Sequence, residues 1–138
     1  MASEAFTIQT LNDGPRNTTL KIDGFVNGED YTNQLVVNPT TLSRIDAFNT
    51  PTKVRVTRIN FDIEDGLDCN LVWDSNSGTG GQADLWRCTG RGEIKGKPFG
   101  GFTDNATNPN YNIVLNTIGG TASSIPLSFT IVLELIKS

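Results

Sequence analysis

The sequence predicts an all-β fold, two antiparallel sheets packed as a sandwich, and three observations carry that prediction. Apolar and polar residues alternate with period 2 in several separate runs, the pattern of strands buried on one face. Clusters of Gly, Asn, Asp and Pro separate those runs and supply turns. No segment repeats apolar residues at helical spacing over a useful length. The 138 residues suffice for one domain with a real core, so residues 1–138 are expected to form a single sandwich.

In chain order, Phe6, Ile8 and Thr10 form a short first strand, preceded by a short N-terminal arm and followed by the turn cluster Asn12-Asp13-Gly14-Pro15. Leu20, Ile22 and Val26 supply the second strand. From Asn27 to Thr52 runs a long polar connection containing Pro39 and Pro51, in which Thr40 to Phe48 has room for a helical turn capped by Thr40 or Thr41. Long connections in small domains are usually functional. This one is expected to contact a partner and to tolerate shortening, because closure entropy changes slowly with loop length.

Val54 and Val56 lie on one parity, whereas Ile59, Phe61 and Ile63 lie on the other. A bulge near Thr57-Arg58, or a passage between sheet environments, reconciles the two. Leu67, Cys69, Leu71 and Trp73 alternate next, after Asp65-Gly66, a pair that predicts a tight hairpin. Ser77-Gly78-Thr79-Gly80-Gly81 reads as a hairpin tip, since no Gly-Lys-Ser/Thr follows to make a phosphate loop. Trp86 and Cys88 open a further strand, Ile94 marks the next, and Tyr111, Ile113 and Leu115 another. Finally, Leu127, Phe129, Ile131, Leu133 and Leu135 alternate with Ser128, Thr130, Val132 and Glu134, the longest regular run in the chain. About eight strands result, for which a jelly roll is the favoured topology, with an immunoglobulin-like Greek key still open.

Composition narrows the chemistry. There is no histidine, which removes Ser-His-Asp and Cys-His catalysis and most zinc sites, so the chain is not read as an enzyme. Fifteen acidic against 11 basic residues give a formal charge of −4, a poor match for a phosphate backbone, and nucleic acid is not expected as a partner. The opening Met1-Ala2-Ser3-Glu4 lacks the features of a signal peptide, and no apolar run is long enough to cross a bilayer, so cytoplasmic synthesis without membrane attachment is expected. Cys69 and Cys88 are then expected as small buried thiols, although neighbouring strands would permit a disulfide.

Two charged groups invite functional readings. Asp62, Glu64, Asp65 and Asp68 offer hard oxygen ligands for calcium, or a carboxyl pair for glycoside hydrolysis. Their spacing fits no EF-hand, and alternation turns most of them to solvent, so a solvated face is preferred and no metal or cofactor is assigned. Arg87, Arg91, Lys95 and Lys97, between Trp86 and Phe99, form a basic run that could grip a phosphate chain or single strand, but such charges more often line a strand face or meet the acidic hairpin of a partner subunit. Trp86 and Arg87 are candidate interface anchors, since aromatic residues and Arg dominate such sites, although an edge Trp that packs on the core is an equal reading. Arg16 at the first turn and Tyr31 in the long connection complete the candidate contact set.

Several strings together resemble a known group. Leu11-Asn12-Asp13-Gly14-Pro15-Arg16-Asn17, Arg58-Ile59-Asn60-Phe61-Asp62-Ile63-Glu64-Asp65-Gly66-Leu67 and Leu71-Val72-Trp73-Asp74 are similar to stretches of small head decoration, or cement, proteins of tailed phages. Gly90-Arg91-Gly92, Phe99-Gly100-Gly101-Phe102 and Thr130-Ile131-Val132-Leu133-Glu134-Leu135 extend the likeness over most of the chain. The resemblance implies a jelly roll made in the bacterial host cytoplasm and carried on the outer capsid surface of the virion. It implies a homo-oligomer, a dimer favoured over a trimer, that bridges neighbouring major capsid protein subunits, and it transfers no catalytic or cofactor residue. The alternative expectation is a carbohydrate- or receptor-binding β-sandwich module of a virion.

Overall fold

Strand β9 (Leu127–Lys137) forms as its alternation requires: Leu127, Phe129, Ile131, Leu133 and Leu135 are buried, and the residues between them are not. The computed structural model of the chain describes residues 4–96, 100–121 and 125–138, and only the backbone of residues 4 and 5. Among these, eight further strands precede β9: β1 (Glu4–Asp13), β2 (Asn17–Val26), β3 (Gln34–Val37), β4 (Val54–Ile63), β5 (Asp68–Ser75), β6 (Ala83–Cys88), β7 (Arg91–Lys95) and β8 (Pro109–Ile118). One sheet has the order β1-β2-β9-β4-β7 and the other β3-β8-β5-β6.

The pairing is nested. β2 pairs with β9, β3 with β8, β4 with β7 and β5 with β6, all antiparallel, and successive pairs alternate between the sheets. Contacts of β4 with β9 and of β5 with β8 close each sheet. Eight strands nested in this way are a jelly roll, and β1 is an addition at the outer edge of the larger sheet. The core between the sheets includes Ile22, Ile59, Leu71, Trp73, Ile113, Leu115, Phe129, Ile131 and Leu133, all almost wholly removed from water.

The expected bulge at Thr57 is present, where the β4–β9 register shifts between Val56 and Arg58. The Thr57 hydroxyl donates to the Glu134 carbonyl at 3.1 Å, so the extra residue satisfies an acceptor on the neighbouring strand.

Five expectations are corrected. Asp65-Gly66 does not close a hairpin, because β4 and β5 belong to different sheets. The Leu67 amide donates to the Glu64 carbonyl with positive φ at Gly66 alone among the two central residues, a type II arrangement. Type II turns splay the strands they join, whereas the primed turns of hairpins match the strand twist, so here the chain arches from one sheet to the other. The Asn27–Thr52 connection is not loop throughout: it holds β3 with buried Val36 and Val37, a 3₁₀ turn at Pro39–Thr41, and buried Tyr31. Shortening it at those residues would remove core rather than slack. The 3₁₀ turn is capped by the Asn38 side chain, which accepts from the Thr40 amide, and not by Thr40 or Thr41. Last, the first strand runs to Asp13, well beyond Thr10, and β6 ends at Cys88 rather than opening near it. The expected arm before Phe6 lies outside the described residues up to Ser3.

Cys69 and Cys88 face each other directly across the β5–β6 pair, both free and both wholly buried. Burial pushes both thiols up, Cys88 to about 12. Among the described residues no helix is long and apolar enough to cross a membrane.

Candidate contact surface

The side chains at one end of the sandwich are organised by a lysine. Lys137 continues the inward parity of β9 beyond Leu135, so its stem extends the core and its ammonium reaches the end of the barrel-like interior. There Nζ donates to Asp13 Oδ1 at 2.6 Å and to the Ser43 carbonyl and hydroxyl, each at 2.9 Å. Asp13 also accepts from the Thr18 hydroxyl and the Ser43 amide. Desolvation pushes the Asp13 carboxyl up, but the Lys137 ammonium and the Ser43 and Thr18 donors outweigh it and hold the group at about 2. One partly buried ion pair thus ties the β1–β2 turn, the long connection and β9 together.

The segment that leaves this anchor is pre-formed. Asp46 Oδ1 accepts from the amides of Phe48 and Asn49 at 2.8 and 3.0 Å, and the Asn49 side chain donates to both Asp46 oxygens. The Ile45 amide donates to the Asn49 carbonyl, which closes the turn. Those bonds, the Asn49 side chain foremost, lower the Asp46 carboxyl from its ordinary value. At the tip, Phe48 is 95% exposed, the most exposed large apolar side chain among the described residues. A Phe held in water on a turn that fixes its backbone is an unusual use of an aromatic, because burial of such a side chain elsewhere gains about 1.5–3 kcal/mol.

Of the residues expected to make contacts, Arg16 alone joins this region. It is exposed and lines a groove with Ile45, Asn49, Thr50 and Thr52 beside the end of β9. Tyr31 is 6% exposed and packs between the rings of Phe6 and Phe129 at 5.4 and 6.2 Å, so the folded chain does not present it. Its neighbour Asp30 fixes the segment by accepting from the Thr117 hydroxyl and the Gly120 amide, both at 2.8 Å. Trp86 is half-buried against the core, with its ring 6.0 Å from that of Phe102. Arg87 is exposed and pairs with Asp68 at 2.9 Å.

The acidic residues around the β4–β5 turn find partners within their own chain. Asp62 pairs with Arg91, Asp68 with Arg87, and Glu64 accepts from the Ser128 amide and hydroxyl. Lys95 pairs with Glu93, and Lys97 lies outside the described residues. Among the described residues no group of three or more carboxylates or thiols is placed to hold a metal ion.

Sequence reasoning missed Lys137 and Phe48. Lys137 had a legible signal, its parity with Leu135, but a charged residue is ordinarily read as the end of a buried run. Phe48 had none, since nothing in the sequence of a polar loop says which apolar residue stays outside. The sequence matches no family model and no curated protein.

Proposed function

We propose that the chain is a head decoration protein that attaches to neighbouring major capsid subunits at the outer surface of a phage head and stabilises the shell. The observation that carries this reading is Phe48, an aromatic presented to water on a turn pre-formed by Asp46 and anchored through Ser43 to the buried Lys137. Presenting an apolar side chain on a rigid support lowers the ordering cost of association, which suits a static attachment better than turnover. Arg16, which lines a groove with Ile45 and Asn49 of the same turn, adds a cationic group of the kind enriched at interfaces. The resemblance of the sequence strings to decoration proteins points the same way.

The test is co-sedimentation with assembled heads that lack the protein. Parent protein is expected in the head fraction, with filled heads releasing their DNA at a higher temperature than bare ones. Phe48→Ala is expected to fold normally and to bind heads at least tenfold more weakly. Parent protein that stays in the supernatant at every concentration overturns the reading. Retention on immobilised glycans together with that result would move a carbohydrate-binding module to the front.

A further inference from the structure

We infer that the free edge of β1 is a homodimerisation site, at which two copies pair their β1 strands antiparallel and join their larger sheets into one. Each sheet has two edges, and a bare edge invites pairing unless it is blunted. Three of the four are blunted. β7 has five residues, of which Arg91, Glu93 and Lys95 are charged. β3 has four, with an irregular register against β8. β6 has six and carries Asp84 and Arg87. β1 differs in length and charge: it has ten residues, pairs regularly with β2 over seven of them, from Glu4 to Thr10, and from Ala5 to Asn12 contains no charged residue and no proline. Among the described residues no strand pairs with its outer side, and Thr7 to Asn12 are all exposed.

The geometry admits a copy of the same strand. Two antiparallel copies are related by an axis normal to the sheet, so residues that lie directly opposite share a face and the axis falls on a residue. Pairing of β1 with β2 is regular from Glu4 to Thr10 and shifts at Leu11. An axis on Thr7 uses that whole regular stretch. It sets Thr7 opposite its copy and Phe6 opposite Ile8 of the second chain. Ile8 shares its face with buried Ile22, its partner on β2, yet is 42% exposed, because β1 extends the larger sheet past the smaller one. The second copy gives that isoleucine an aromatic neighbour, and no like charges meet anywhere along the pairing. This dimer does not depend on attachment to a head and is tested without one.

Sedimentation velocity of the parent across the micromolar range should show a monomer–dimer equilibrium. Thr7→Lys and Thr7→Glu each place like charges directly opposite and should weaken the dimer at least tenfold. Thr7 is exposed and lies directly opposite Asp23 of β2, so at concentrations where the parent is monomeric Thr7→Lys should keep the parent denaturation midpoint and Thr7→Glu should lower it only slightly. Mixing the two should restore dimers, because opposite charges then meet across the axis. A parent that stays monomeric, forms trimers, or forms dimers that neither variant weakens would overturn the inference.

Discussion

The Lys137 ammonium, wholly buried, lies 2.6 Å from Asp13 Oδ1 and spends its remaining protons on Ser43. Removal of one partner from such a pair costs more than replacement of both, since the survivor keeps its desolvation penalty without its compensation. Asp13→Ala leaves the buried ammonium without its carboxylate and is therefore expected to destabilise the domain by about 3–5 kcal/mol. Lys137→Met keeps the apolar stem and leaves a partly exposed Asp13 still bonded to Thr18 and Ser43, and should cost clearly less. Urea denaturation of the two variants compares them. A greater loss for Lys137→Met would show that the ion pair, rather than the uncompensated charge, dominates.

The same pair sets an acid limit. Asp13 is held at about 2 against an ordinary 3.8, so its contribution is fully present above about 4 and is lost as pH falls through about 2. The linkage amounts to at most about 2.5 kcal/mol. Between pH 6 and pH 2 the parent should lose more stability than Asp13→Asn, which has no proton to bind at that site. Parallel pH profiles for the two would contradict the assignment.

Leu133 and Glu134 are neighbours on β9 with opposite facings. Leu133 is wholly buried between the sheets, and Leu133→Ala should cost about 2–5 kcal/mol. Glu134 pairs with Arg58 at 3.2 Å in a partly exposed setting, so Glu134→Ala should cost less than about 1 kcal/mol. Chemical denaturation midpoints of the two variants should differ accordingly.

Cys69 and Cys88 should resist alkylation in the folded protein, because burial both blocks access and keeps the thiols protonated at neutral pH. Unfolding without reductant should expose both to labelling, as read by mass spectrometry. A protein that takes up no label when unfolded would have formed the disulfide that their facing positions permit.

Asp46→Ala should leave the denaturation midpoint unchanged, since the turn it closes is exposed and lies outside the core. Amide hydrogen exchange at Phe48 and Asn49 should nonetheless quicken, and head attachment should weaken together with it. Slow exchange at both amides in the variant would mean that other bonds form the turn.

Several features of this molecule were decided by the sequence alone. Period-2 alternation from Leu127 to Leu135 fixes which face is buried, because a strand has only two sides and a one-residue slip would expose every apolar group. From Leu67 to Trp73 it turns Leu67, Cys69, Leu71 and Trp73 inward, while Val72 on the other face is buried by the tertiary structure. The parity break at Thr57 likewise requires an irregularity there, which the β4–β9 register shows to be a bulge rather than a passage between sheets. Tertiary structure alone decided the rest. Asp65-Gly66 carries the composition of a hairpin, yet the turn it adopts sends β5 into the opposite sheet, a choice made by which strands bury each other. Strand β3 is too short to show a period, and β8 supplies its pairing and the other core strands its burial. Lys137 is tolerated inside only because Asp13 and Ser43, remote in the chain, arrive beside it. Phe48 stays outside because the turn that carries it is closed by Asp46 at the surface. Local pattern determines facing, whereas partnership is a long-range property that a one-dimensional pattern does not encode.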